Sequence, residues 1–388
     1  MLLHIFNPEN DLALADGGAN YCPPPAATLI ARDLAALPLW FAGSEDLVFL
    51  PSDTHREYYK EVDSVFDIAQ CYGLVHEKDV TGFRPWGWSA QMKRRIKAMG
   101  FNVGLLPADE VIENIRALSN RWTSIALLEA LAMRGVDVPP LPVYLTTNED
   151  VAAFVESVPQ SVVKAPWSGS GKGIMWGLGR VEVPLENFYK GVIRRQGGVV
   201  CEHFLSSVQE FAMEFLATEN GVQFAGYSLF NSVKGSYSGN ILAPDDEIEQ
   251  TLSQYIPLCK LREVRSLLLE LLTGKLRGSG YNGYLGVDMM IYRDECGNLC
   301  LNPCMEVNMR MNMGVASRII YDRHVCVGKH GQFFVNYYKK EGDAFEEHRL
   351  NKERYPLEVE NGRVAGGYIN LSPITPENRY SVYIIIDK

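Results

Sequence analysis

Residues 304–314 read CMEVNMRMNMG, and polar and apolar side chains alternate without a break. On a strand, side chains point to opposite faces in turn. Glu306, Asn308, Arg310 and Asn312 therefore share one face, and Met305, Val307, Met309, Met311 and Met313 the other. The first face offers a carboxylate, an amide and a guanidinium at successive positions. Carboxylate and amide oxygens suit a hard cation such as Mg²⁺, and arginine suits phosphate or carboxylate. A half-exposed edge strand with a solvated polar face is the competing reading.

A second acid lies in GVDMMIY, where Asp288 interrupts an apolar run. A carboxylate in a buried strand needs a partner, often a metal. Residues 283–292 and 298–308 read as a hairpin, which would bring Asp288 beside Glu306 and Asn308. Further upstream, SVVKAPWSGSGKGIMW (161–176) delivers Lys164 from a strand into a loop with Ser168, Gly169, Ser170, Gly171 and Gly173. Glycines let backbone N–H groups approach phosphate oxygens, and the lysine adds a point charge. The GSGK string is not a Walker A loop: Pro166 and Gly173 stand where that pattern needs Gly and Ser or Thr, and strand follows instead of helix. A flexible hairpin tip is the plainer alternative. In VVCEHFLSSVQEF (199–211) a strand ends at Glu202 and restarts at Gln209 and Glu210. Free backbone there could hold an adenine edge, although acids at strand ends are common.

These side chains must be positioned by an α/β framework. Residues 2–6 and 46–51 read as strands, and 26–36 and 88–100 as amphipathic helices. Strand and helix alternate over roughly the first 120 residues, which implies an open, mostly parallel sheet. Lys93, Arg94, Arg95 and Lys97 spread around their helix as a solvated face. Two more helices follow to residue 135, then an extended Pro-rich stretch, a helix near 148–157, and strands at 161–165, 199–205, 209–218 and 222–230. The segment 231–246 is polar and glycine-rich and reads as a mobile loop. A helix is expected near 329–340 and a hairpin turn at Asn361-Gly362.

The chain has 388 residues, enough for two or three domains, with 47% hydrophobic and 22% charged residues. A net charge of −10 argues against a general nucleic-acid binder. The N-terminus lacks a signal-peptide pattern and no apolar run reaches membrane-span length, so a cytoplasmic protein without membrane attachment is expected. Eight cysteines are scattered. Cys300 and Cys304 on one strand would lie ~13 Å apart, too far for one zinc, so packing roles are favoured.

Taken in order, the motifs over about 120–314 resemble the ATP-grasp superfamily. The pattern opens with a helix carrying a basic residue, here Arg121 in SNRWTSIALLEAL, where many members have lysine. The strand lysine and glycine loop, the acidic hinge CEHFL followed by QE, an aspartate on one strand and E-x-N-x-R on the next then follow. The resemblance implies a Rossmann-like domain over 1–119, a two-lobed ATP-grasp domain over 120–328, and a C-terminal extension with helix and hairpin over 329–388. It implies that Lys164 and Arg121 contact the α- and β-phosphates, that Glu202 and the backbone of Phe204 and Leu205 hold adenine, and that Glu210 holds ribose. Asp288, Glu306 and Asn308 would hold two Mg²⁺ ions, with Mn²⁺ as an alternative. Arg310 would stabilise the phosphate in flight, and Lys234 would reach it from a closing loop at 231–246.

The activity so implied is ADP-forming ligation of a small carboxylate to an amine through an acyl phosphate, with a homodimer left open. A kinase acting on a small-molecule hydroxyl would use the same phosphate machinery, and a nucleotide-binding module without catalysis is a third class. The loop FNPENDLALADGGANYCPPP after the first strand lacks G-x-G-x-x-G. It offers Asn7, Glu9, Asn10 and Asp11 as substrate contacts, or simply the capped start of a helix.

Overall fold

The computed structural model describes residues 1–73, 80–169, 173–233 and 236–387. The first strand, β1 (Leu2–Ile5), leads through a short helix α1 (Asn10–Asp16) and α2 (Pro25–Asp33) to β2 (Leu47–Val48). Helix α3 (Asp53–Asp63), β3 (Gln70–Cys71), β4 (Gly82–Pro85) and α4 (Ala90–Ala98) follow. The four strands form an all-parallel sheet in the order β3-β2-β1-β4, as the alternation implied. Ser89 caps α4 by accepting the Met92 N–H at 3.2 Å. Met92 and Ile96, one turn apart, then bury against Leu3, Ile5 and Phe83. Lys93 and Arg94 on the same helix pair with Asp109 and Asn20.

Helices α5 (Asp109–Leu118) and α6 (Trp122–Met133) lead into a second sheet built from β5 (Val143–Leu145), β6 (Ser161–Lys164), β7 (Ile174–Gly177) and β8 (Val199–His203). Its order is β5-β8-β6-β7, and every pairing is antiparallel. Helices α7 (Asn148–Ser157) and α8 (Val183–Gln196) cover it with Val151, Val155, Leu185 and Val192.

The third sheet is the largest. It comprises β9 (Ser206–Thr218), β10 (Gly221–Val233), β11 (Ser236–Leu242), β12 (Gly283–Arg293), β13 (Leu299–Asn308), β14 (Gly331–Tyr337), β15 (Glu358–Glu360), β16 (Arg363–Asn370) and β17 (Tyr380–Ile386). The order is β13-β12-β9-β10-β11-β14-β17-β16-β15. Helices α9 (Asp245–Ser253) and α10 (Leu258–Leu276) join β11 to β12, α11 (Met313–His324) follows β13, and α12 (Asp343–Arg354) follows β14. On α10, Leu261, Val264, Leu268, Leu272 and Leu276 recur every three or four residues. That stripe packs on Phe211, Met213, Phe215, Val287 and Met289 of the central strands. Each fully buried side chain of this kind contributes roughly 1.5–3 kcal/mol. Cys304 is buried in the same core, Cys300 is half-buried and Cys296 exposed.

Three sequence expectations change here. The segment 231–246 is not a loop. Its described backbone completes β10, forms β11 and opens α9, and β11 is paired on both sides. Gly239 is a strand glycine: a side chain there would come within 2.0 Å of the Phe333 carbonyl of β14. Lys234 lies outside the described residues. The helix expected near 329–340 is strand β14, held by β11 and β17, and the helix of this region is α12. Finally, strand β13 stops at Asn308, so the alternation of 309–313 is not strand; Asn312 caps α11, its Oδ1 accepting the Val315 N–H at 2.8 Å.

The Asn361-Gly362 turn joins β15 to β16 with both residues at positive φ, 51° and 73°. Residues past 329 are integral to the molecule. Val364, Val382 and Ile384 share one core with Leu37, Trp40, Val48, Val315 and Ile320.

Candidate active site

Strands β12 and β13 pair in a register that sets Asp288 directly opposite Glu306 and Gly286 opposite Asn308. Opposed residues of an antiparallel pair have Cβ atoms about 4.5–5.5 Å apart, so the two carboxylates face each other. Asn308 Nδ2 donates to Asp288 Oδ2 at 3.0 Å. Burial, reinforced by the Glu306 charge, pushes the Asp288 carboxyl up to about 7. Glu210 of β9, opposite Met290, lies close enough to add its charge at Asp288.

Beyond Asn308 the chain turns sharply, the Arg310 N–H donating to the Asn308 carbonyl at 2.9 Å. The next N–H, of Met311, donates to Trp86 beyond β4 at 2.9 Å and ties this turn to the first sheet. Arg310 thus joins Asn308 and Glu306 by a turn and not by strand alternation. Its Nη2 donates to Asn308 Oδ1 at 3.2 Å. Its Nε and Nη2 also grip the two Asp11 oxygens at 2.7 and 2.6 Å. Burial opposes the Arg310 charge, but Asp11, Glu306 and Asp288 together outweigh it and hold the proton more tightly than usual.

Arg121, at the start of α6, is only 5% exposed. Its Nη2 donates to both Glu306 oxygens at 2.9 Å. Its Nη1 donates to the Ala165 carbonyl at 2.5 Å and to Ser168 Oγ at 2.7 Å. One guanidinium therefore ties the glycine loop to the E-x-N turn. That loop is the tip of the β6–β7 hairpin, closed at its base by Ala165 N–H to the Gly173 carbonyl at 2.8 Å. It is followed by strand, which again separates it from a Walker A loop. Gly169 meets Asp11 so closely that a Cβ there would lie 2.1 Å from Asp11 Oδ2. Ser170 and Gly171 lie outside the described residues.

Lys164, at the end of β6, forms an ion pair with Glu202 of the neighbouring β8. Phe204 and Leu205 link β8 to β9, and the Phe204 ring is half exposed. The Phe204 N–H already donates to the Gln160 carbonyl at 3.0 Å. Of the Phe204 backbone pair expected at an adenine edge, the N–H is therefore engaged within the fold.

Arg121 and Arg310 thus meet at the E-x-N turn, and these two cations and Lys164 are each matched with a carboxylate: Glu306, Asp11 and Glu202. Of the N-terminal loop residues, Asp11 alone among the four reaches this cluster. Asn7 exchanges hydrogen bonds with Gly87, at 2.9 and 3.3 Å. Asn10 is fully buried, oriented so that its amide donates to the Gly87 and Trp88 carbonyls at 3.0 and 3.2 Å. These two asparagines shape the loop.

Glu214 escaped sequence reasoning. It is 1% exposed on β9, accepts from Asn312 Nδ2 at 2.8 Å, and is pushed up to about 8 by burial, with Asp288 adding to it. The signal was a lone acid in the apolar run FAMEFLA.

The donor set of Asp288, Glu306 and Asn308 is all hard oxygen and suits Mg²⁺. Facing, half-buried carboxylates, one of them with a raised pKa, are a pairing that a cation would relieve. Such an ion would compete with Arg121 for Glu306. Among the described residues no group of three or more His, Cys, Asp and Glu is arranged to hold a metal, so the amide of Asn308 is needed to complete the set. No helix among them is long and apolar enough to cross a membrane.

The fold is shared with solved carboxyaminoimidazole synthetases and a biotin carboxylase. The chain is similar to N5-carboxyaminoimidazole synthetase from Staphylococcus aureus, solved with ADP, at 14% identity and a TM-score of 0.52, covering 100% of this chain and 93% of that one. The corresponding ribonucleotide synthetase from Thermus thermophilus matches at 13% identity and a TM-score of 0.52, over 99% and 93% of the two chains. Biotin carboxylase from Campylobacter jejuni, solved as a β,γ-ATP complex, matches at 11% and 0.52, over 100% and 88%. No protein-family model and no curated protein sequence matches the chain.

Proposed function

We propose that this chain is an ATP-dependent, ADP-forming ligase that activates a small carboxylate and joins it to an amine. The observation that carries this reading is the meeting of Arg121 and Arg310 on the Asp288–Glu306–Asn308 set, with Lys164 paired to Glu202 at the foot of the glycine loop that Arg121 also holds. The solved structures of like fold include complexes with ADP and with β,γ-ATP, which supports a nucleotide as the ligand. Division into a Rossmann-like domain (1–119), an ATP-grasp domain (120–328) and an extension (329–388) belongs to the same proposal. The eight free cysteines fit a reducing cytoplasm.

In this reading Lys164 and Arg121 bind the α- and β-phosphates, exchanging their carboxylate partners for phosphate oxygens. Ser168, Gly169 and Gly173, with Ser170 and Gly171, form the loop over the phosphates. Glu202, the Phe204 carbonyl and Leu205 hold adenine, and Glu210 the ribose. Asp288, Glu306 and Asn308 would hold Mg²⁺, which would supply neutralisation of phosphate charge. Arg310, gripped by Asp11, is aimed by that fork at the charge developing on the γ-phosphate. The substrate carboxylate attacks that phosphorus and ADP leaves. The amine then displaces phosphate from the acyl phosphate, losing a proton as the amide forms. Lys234 is assigned to phosphate contact.

A screen of carboxylate and amine pairs for ADP release, with wild type and Glu306→Gln, tests the reading. Amine-dependent ADP release by wild type and none by a folded Glu306→Gln protein is expected. ADP release with a hydroxyl compound alone, yielding a stable phosphoester, would replace ligase by kinase.

A further inference from the structure

A cavity of about 320 Å³ separates the first sheet from the third. Arg84 of β4 lines one side, Tyr284 of β12 another, and Arg310 a third. None of Lys164, Arg121, Asp288, Glu306 and Asn308 takes part in the lining, so the cavity adjoins the phosphate-binding groups through Arg310. Its volume falls at the lower end of small-molecule sites, roughly 300–1,000 Å³. Most wall residues are apolar, among them Phe41, Trp86 and Met311. The charged groups of the described lining are Arg84, Arg310 and Arg323, with Asp46 as the acid and His4 beside it. Asp46 is satisfied within the fold: Oδ1 accepts the Leu2 N–H at 2.9 Å, and Oδ2 is bonded to His4 Nε2 at 3.3 Å. Arg310 is matched by Asp11. Arg84 and Arg323 have neutral partners instead. Arg84 donates to the Asn282 carbonyl at 2.6 Å and to Asn282 Oδ1 at 2.9 Å. Arg323 donates through Nη1 alone, to the Phe41 and Ala42 carbonyls at 3.1 and 2.7 Å. The rest of each fork has no partner among the described residues. These contacts pin both side chains and leave their charge uncancelled. The Tyr284 hydroxyl lies in the field of both, and the Tyr281 hydroxyl in that of Arg84 and Arg310. Three guanidiniums therefore follow one another along one wall. A cleft lined by uncancelled charge of one sign, with apolar walls, concentrates ligands of the opposite sign.

We propose that this cavity receives the carboxylate substrate of the ligase, and that this substrate is a small dianion with an apolar body. The reacting carboxylate lies at Arg310, where the γ-phosphate is transferred. The body lies along the apolar wall, and a second anionic group takes Arg84 and Arg323. That second group is a carboxylate or a phosphate, since the guanidinium fork fits both. Asp46, held by Leu2 and His4, leaves no free acid in the described lining to select a cationic substrate instead. The role of the reacting end rests on the ligase reading; the binding of the dianion does not.

The test is calorimetry on the full chain without nucleotide, titrating para-phenylenediacetate, para-(phosphonomethyl)benzoate, phenylacetate and succinate. One or both of the first two, which carry a ring between two anionic groups, are expected to bind, and the tighter one tells carboxylate from phosphate at the second position. Phenylacetate lacks the second charge and succinate the apolar body, and each is expected to bind about tenfold weaker or less. Arg84→Gln and Arg323→Gln are each expected to weaken the preferred dianion about tenfold, as loss of a charge-assisted bond does, and to leave phenylacetate unchanged. If Arg84→Gln does not fold, Arg323→Gln decides alone. Binding of neither aromatic dianion overturns the proposal. So does phenylacetate or succinate binding as tightly as the dianion, or a dianion affinity that both variants retain. ATP and turnover do not enter this measurement. Its failure beside intact amine-dependent ADP release rejects the substrate class alone, and dianion binding without any ADP release rejects the ligase reading alone.

Discussion

Arg310 and Asp11, 299 positions apart in the chain, form a two-pronged ion pair at 2.7 and 2.6 Å at the centre of the candidate site. The loop after the first strand therefore reaches the E-x-N-x-R turn and helps to aim its arginine. Planar, paired contacts of this type depend on the guanidinium fork, which lysine lacks.

Arg310→Lys is accordingly expected to lower kcat by roughly 10²–10³-fold, the usual loss when one donor to developing charge is removed. The KM for ATP should move little. Steady-state ADP release, with circular dichroism to verify folding, measures this. An unchanged kcat would remove Arg310 from the chemistry.

Gly169→Ala would place a methyl group 2.1 Å from Asp11 Oδ2. Either the loop or Asp11 must shift, and Arg310 loses its aim. Misplacement of about 1 Å costs on the order of 10²-fold in rate. The expected signature is a large fall in kcat with a nearly unchanged melting temperature. Wild-type turnover would show that the Asp11–Gly169 approach is incidental.

Lys164→Ala removes one charge-assisted phosphate contact, worth roughly 1.5–3 kcal/mol, or about 10–100-fold in ATP affinity. It also leaves Glu202 without its partner. Calorimetry with Mg-ATP gives the answer directly, and equal affinities would contradict the assignment.

Stability should depend on pH through Glu214, whose carboxyl is raised from an ordinary 4.5 to about 8. Between those values the folded state binds more protons than the unfolded one. The unfolding free energy therefore falls as pH rises from about 4.5 to about 8, by at most about 1.4 kcal/mol per pH unit for this group. Asp288 adds to the same slope up to about 7. Urea unfolding at a series of pH values should show Glu214→Gln flattening the curve and gaining on wild type at pH ~8. A Glu214→Gln curve parallel to wild type would count against this.

Much of the site was legible from sequence because its logic is local. Period-two alternation and the intervening turn were enough to pair Asp288 with Glu306 and Asn308. Strand-to-loop punctuation put Lys164 at the foot of a glycine loop, and Asn361-Gly362 could make only a tight hairpin. Other features depended on partners far along the chain. GQFFVNY at 331–337 has no decisive local pattern; it is strand because β11 and β17 offer hydrogen bonds on both sides. The polar run through Gly239 and Asn240 looked mobile, yet Asn240 is buried, bonded to Ser228 and Ser317 at 2.7 and 2.8 Å. Asp11 and Glu214 differ from ordinary surface acids only in what surrounds them. Sequence by itself determined which residues could carry the chemistry, since residue type and short-range period are written in it. Tertiary structure alone decided which of them meet, because burial and ion pairing are properties of neighbours brought together from distant segments.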